Sequence, residues 1–209
     1  MAMKGERNQK SNTARALADL ENGCNLTIVA FGDSITAGYS VRRGFTFFWK
    51  EMLMEKYPQA AIELVNSGIC GDTTADGLPR LDWDVLSHEP DLVTINFGTN
   101  DAVMALPLPQ FRANLMQMTE RIREGPGSEM VLLSAPPLET PYYDHLVQGY
   151  RQAMEEAAAK MMTGFVDVYR GFMERVREGV PLSSLLLPGL DHPNEEGYRI
   201  IAQELMKLF

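Results

Sequence analysis

Positive charge, cysteine and long apolar runs are all scarce in this chain. Lysine and arginine total 19 against 28 aspartates and glutamates, a formal charge of −9. So few cations do not suit nucleic acid or an anionic membrane face, because phosphate binding needs clustered Lys and Arg. The two cysteines, Cys24 and Cys70, have no neighbours at metal-ligand spacing and form no disulfide framework. No apolar stretch approaches the length of a membrane span, so stable membrane insertion is not expected. The opening residues 1–12 are polar, with Lys4, Arg7 and Lys10, and no apolar leader core follows them. A cytoplasmic location is the expectation.

What the chain does contain suffices for one domain: 209 residues, 45% of them hydrophobic. The expected division is an extension with a short helix in residues 1–24, then a single domain over 25–209. Short apolar runs rich in Val and Ile recur at 26–31, 62–66, 91–97, 130–135 and 165–168. Such runs read as strands buried on both faces of a parallel sheet. Between them, apolar residues recur at helical spacing. Phe45, Phe48, Trp49, Met52 and Leu53 mark a helix over 45–57, and Phe111, Leu115, Met118 and Ile122 one over 110–124. Further helices are expected over 144–162 and 195–207, and an interrupted one over 73–87, weakened by Gly77 and Pro79. Alternating strands and helices imply right-handed crossovers that cover both sheet faces. The predicted fold is α/β, a three-layer α/β/α sandwich of flavodoxin-like type with about five parallel strands.

Three polar motifs stand where apolar runs end or the last helix begins. Gly32-Asp33-Ser34 follows the first strand, Gly98-Thr99-Asn100-Asp101 follows the third, and His192-Pro193-Asn194 opens the final helix. The carboxyl ends of parallel strands are where α/β proteins collect their sites. A serine hydroxyl becomes a nucleophile when a base takes its proton, and the negative charge formed on attack needs preorganised donors. Asn100 offers a neutral carboxamide donor, and the loop Asn66-Ser67-Gly68-Ile69-Cys70-Gly71-Asp72 suits a backbone N–H donor at Gly71. His192, one of three histidines, sits in a proline-flanked loop and offers the base.

Gly32-Asp33-Ser34-Ile35-Thr36, the Gly71 loop, Gly98-Thr99-Asn100-Asp101 and His192-Pro193-Asn194 together resemble the SGNH hydrolase superfamily, also called GDSL esterases and lipases. Order and spacing match from about residue 26 to the end. The resemblance implies that Ser34 is the nucleophile and that its own N–H, the Gly71 N–H and the Asn100 side chain form the oxyanion hole. It implies that His192 is the general base and that neither metal nor organic cofactor is needed.

One position departs from the family pattern. The aspartate that usually orients the histidine lies three residues before it, and here that residue is Gly189. The nearest carboxylate is Asp191, whose side chain an extended loop would turn away from His192. A kinked loop that lets Asp191 serve, another acidic residue, or a Ser-His dyad with a backbone carbonyl are all open, with Asp191 favoured. Asp33 and Asp101 are expected to hold local turns or caps, and Cys70 to be a small buried residue behind its loop. His145, beside Asp144, is expected to begin a helix.

The expected substrate is a small-molecule ester with a short acyl group or an exposed acetyl group on a carbohydrate. A lysophospholipase or thioesterase comes second. An acyltransferase on the same fold and a binding module that keeps the cleft without the chemistry are the readings from other classes.

Overall fold

The computed structural model describes residues 12–189 and 191–209. Residues 1–11 of the expected extension and Leu190 of the His192 loop lie outside the described residues. Five strands form one sheet in the order β2-β1-β3-β4-β5: β1 Leu26–Gly32, β2 Ile62–Gly68, β3 Leu92–Asn96, β4 Glu129–Leu133 and β5 Gly164–Val166. Every neighbouring pair is parallel. The expected flavodoxin-like sandwich is therefore the observed one, with strand boundaries shifted by one or two residues.

Strand geometry sends successive side chains to opposite faces, and β1 shows this directly. Ile28 and Ala30 enter one apolar layer and Val29 and Phe31 the other, all fully buried. The first layer is completed by α1 (Ala14–Glu21), α3 (Phe45–Lys56), α8 (Val168–Arg177) and α9 (Glu195–Met206). The second is completed by α4 (Thr74–Asp84), α6 (Leu108–Glu124) and α7 (Pro141–Met161). Two short helices, α2 (Ser34–Ala37) and α5 (Thr99–Val103), begin immediately beyond β1 and β3.

Several elements depart from expectation for identifiable reasons. Helix α1 is part of the core, burying Ala16 and Leu20, and Glu129 at the start of β4 accepts hydrogen bonds from the Arg15 and Ala16 N–H groups. Helix α4 runs through Pro79 without interruption. A capping box between Thr73 and Asp76 closes its first turn, and tertiary packing of Leu81 outweighs the missing N–H. Gly77 has a packing role there, because a Cβ would lie 2.6 Å from the Phe97 ring. Helix α8 went unread, since its buried face is only Val168, Gly171 and Phe172 amid charged residues. No helix among the described residues is long and apolar enough to cross a membrane.

In this strand order the chain leaves β1 toward β2 on one side and toward β3 on the other. Crevices form outside the carboxyl ends of strands at such a switch point. Ser34 and Asn100 stand just beyond the carboxyl ends of β1 and β3, the two strands that meet there.

Candidate active site

The turn after β1 is forced by close backbone approach. A Cβ on Gly32 would lie 2.3 Å from both the Asn96 carbonyl oxygen and Thr36 Oγ1, so only glycine lets the strand end this tightly. The Asp33 N–H then donates to the Asn96 carbonyl at 3.2 Å, and the Asp33 carboxylate accepts from the Ile35 N–H at 2.9 Å. Asp33 is thus the cap of α2, as expected, and places Ser34 as the first residue of that helical turn. Gly38, at φ +77°, ends the turn. Ser34 is 7% exposed.

Ser34 Oγ lies 2.8 Å from His192 Nε2, across 158 residues of sequence. The histidine loop is closed at its neck. Leu187 N–H donates to the His192 carbonyl at 2.7 Å, Leu186 and Pro193 form an antiparallel bridge, and Asn194 N–H donates to the Leu185 carbonyl at 3.0 Å. The Asn194 side chain caps α9 through the Glu196 and Gly197 N–H groups. Tyr39 packs its ring against the imidazole, centroids 4.9 Å apart. On the outside, Arg43 pairs with Glu195 at 2.7 Å and links the loop after Ser34 to the helix after His192.

Gly71 occupies a turn closed by the Asp72 N–H donating to the Ile69 carbonyl at 3.3 Å. Its φ of +89° fits the third position of a type II turn, where glycine carries no steric penalty. The Asn100 amide nitrogen donates to the Asp72 carbonyl at 2.9 Å, which joins the Gly71 turn to the start of α5. The Ser34 turn, the Gly71 turn and the Asn100 turn therefore meet at the carboxyl edge of β1, β2 and β3.

The acidic residues divide unexpectedly. Asp191, in the left-handed region at φ +47°, turns its carboxylate toward residues 139 and 140. It accepts from the Glu139 N–H at 2.7 Å, the Thr140 N–H at 3.3 Å and Thr140 Oγ1 at 2.9 Å. These bonds tie Asp191 to the approach to α7. Asp101 caps a different helix from its own. It accepts from the N–H and hydroxyl of Thr74 at 3.0 and 2.6 Å, tying α5 to the start of α4. Burial pushes Asp33 up to about 7 and raises Asp101, although the Thr74 hydrogen bonds oppose the second shift. Asp144 serves α7, accepting from the Leu138 N–H and the Tyr169 hydroxyl at 3.0 Å each, and exposed His145 follows it in the first turn. Cys70 is exposed, contrary to expectation, because the Gly71 turn stands clear of the sheet. Among the described residues, no three His, Cys, Asp or Glu side chains are placed to share a metal ion.

Sequence reasoning missed two residues at this site. Tyr39 carried one signal, its position directly after the glycine that ends α2. Arg80 carried none beyond being a cation among aspartates, because its partners lie on three other segments.

Residues 30–200 match the GDSL-like Lipase/Acylhydrolase family. The chain belongs to that family. It is a carboxylic ester hydrolase, in keeping with the relatives it resembles. An arylesterase of Vibrio mimicus is 29% identical over 144 residues, covering 67% of this chain and 71% of the relative. Esterase TesA of Pseudomonas aeruginosa is 30% identical over 149 residues, covering 68% and 70%. An acetylxylan esterase of Geobacillus stearothermophilus is 26% identical over 178 residues, covering 78% and 80%. The crystal structure of that organism's acetylxylan esterase Axe2 superposes with a TM-score of 0.77 at 23% identity, over 88% of this chain and 93% of Axe2. That likeness establishes the fold. A lipase/acylhydrolase structure from Enterococcus faecalis gives a TM-score of 0.76 at 27% identity, over 87% and 94%.

Proposed function

We propose that this esterase works through an acyl-enzyme on Ser34, with His192 as the base. The observation that carries the reading is the 2.8 Å contact between Ser34 Oγ and His192 Nε2 at the carboxyl edge of β1. His192 Nε2 takes the hydroxyl proton as Oγ bonds to the ester carbonyl carbon. The resulting oxyanion is met by the N–H groups of Ser34 and Gly71 and by the Asn100 amide. Asn100 carries two amide hydrogens, and the bond to the Asp72 carbonyl fixes the plane of the amide for the second. Collapse of the intermediate expels the alcohol oxygen, which leaves with the proton from His192. Water then repeats the sequence on the acyl-enzyme and frees Ser34. Asp191 is a positioning residue here, strapping the His192 loop to residues 139 and 140.

Because His192 returns its proton to the leaving oxygen, the alcohol portion lies on the His192 side. A surface cavity of about 570 Å³ lined by Arg42, Arg43 and Glu195 lies on the loop after Ser34 and the helix after His192, and its polar walls suit a hydroxyl-rich alcohol. On the oxyanion side, Ile69, Val103 and Met104 are exposed apolar residues beside Gly71 and Asn100. The substrate is therefore an ester of a polar alcohol with a short acyl group, such as an acetylated carbohydrate. The exposed apolar rim favours a second reading, in which a longer acyl chain lies across Val103 and Met104, as a lysophospholipase or thioesterase requires.

The test is hydrolysis of p-nitrophenyl esters from acetate to decanoate, with acetylated xylo-oligosaccharides alongside, by the parent and Ser34→Ala. Activity highest with acetyl esters and lost in Ser34→Ala supports the reading. A maximum at eight or more acyl carbons selects the second. Activity that persists in Ser34→Ala refutes the acyl-enzyme.

A further inference from the structure

Arg80 on α4 is a hub beneath the site. Its Nε donates to Asp72 Oδ2 at 2.7 Å, and one terminal nitrogen donates to the Ser67 carbonyl and to Asp84 Oδ2, both at 2.9 Å. The other terminal nitrogen donates to the Gly32 carbonyl at 2.9 Å. The guanidinium carbon sits 4.4 Å from the centre of the Phe31 ring, so the cation is also held over an aromatic face. The side chains of Arg80 and Asp72 are each only 15% exposed.

These partners are not arbitrary. Gly32 ends β1 two residues before Ser34, Ser67 is the next-to-last residue of β2 before the Gly71 loop, and Asp72 follows Gly71 directly. The backbone carbonyl of Asp72 is also the acceptor for Asn100. One planar cation with fixed donor directions thus touches the nucleophile's strand and both sides of the Gly71 turn, and reaches Asn100 through Asp72. Lysine presents its donors from a single point and does not span such a set.

We propose that Arg80 is a positioning residue for catalysis, holding the Gly71 N–H and, through Asp72, the Asn100 amide against the carbonyl attacked by Ser34. The inference rests on the acyl-enzyme reading above. Its consequence falls on the transition state, because the donors must meet an oxygen position reached only after attack. A displacement of about 1 Å in such a group costs on the order of 100-fold in rate.

The experiment compares Arg80→Lys, Asp72→Asn and Ser34→Ala with the parent on p-nitrophenyl acetate, the rates of the three proteins that keep Ser34 normalised to sites titrated with a fluorophosphonate and that of Ser34→Ala to folded protein concentration. Arg80→Lys is expected to lower kcat by roughly 30- to 100-fold with KM within about twofold, and Asp72→Asn by about tenfold. Affinity for a boronic acid that forms a tetrahedral adduct on Ser34 should fall in parallel with kcat. If Arg80→Lys does not fold, Asp72→Asn, which cuts one arm of the hub, decides. A kcat per titrated site within about threefold of the parent, even with a lower Tm, overturns the inference. So does a raised KM at unchanged kcat. Activity retained by Ser34→Ala overturns the acyl-enzyme reading instead, and the two failures are thereby distinguished.

Discussion

Asp33 stands next to Ser34, wholly buried, with its carboxyl pushed up to about 7 from an ordinary value of 3.8. Burial is the main cause, opposed by the hydrogen bond from Ile35 N–H and reinforced by the charges of Asp101 and Asp72. A carboxyl that titrates higher in the fold than in the unfolded chain holds its proton more tightly when folded. Stability therefore falls as pH rises from about 4 to about 7, and the loss is complete above that range. Three pKa units correspond to about 4 kcal/mol, of which about 2 to 3 kcal/mol falls between pH 5 and pH 8. Asn at this position stays neutral throughout and keeps an oxygen to accept from the Ile35 N–H. Asp33→Asn should therefore gain stability on the parent by about 2 to 3 kcal/mol more at pH 8 than at pH 5. Urea unfolding followed by tryptophan fluorescence reads this directly, since Trp49 is fully buried while Trp83 is 80% exposed. A stability difference between variant and parent that is the same at both pH values, within about 0.5 kcal/mol, refutes the reasoning.

Three further substitutions follow from the geometry. Asp191→Asn keeps an acceptor for the Glu139 N–H and should hold kcat within about threefold, whereas an orienting carboxylate in a serine triad loses about 10⁴-fold on the same change. A loss of that size on p-nitrophenyl acetate would place Asp191 on the imidazole after all. Gly32→Ala pushes a Cβ to 2.3 Å from the Asn96 carbonyl and Thr36 Oγ1. It should destabilise by more than about 3 kcal/mol in urea unfolding. Gly71→Ala meets open space but must hold φ near +89°. It should cost only about 1 kcal/mol in the same assay while lowering kcat, because the turn relaxes and the N–H moves with it.

The sequence by itself determined the architecture and pointed to the proposed reacting groups. Valine and isoleucine runs bounded by polar turns place the five strands, because burial on both faces leaves a local imprint. Ser34, Gly71, Asn100 and His192 were legible as candidates because each sits in a short motif at a strand or helix end, where backbone chemistry is set by near neighbours. Helix α8 left too little imprint, with its buried face of three residues and a glycine at the contact with Glu204. Tertiary structure alone decided the partners. Asp191 went to Thr140, Asp101 to Thr74 and Arg80 to Gly32, Ser67 and Asp72, and Cys70 was left exposed. The physical reason is range. Strand and helix patterns arise from residues two to four apart, whereas a side chain's hydrogen-bond partner is chosen by which loops the packed sheet brings together, and local sequence carries no record of that choice.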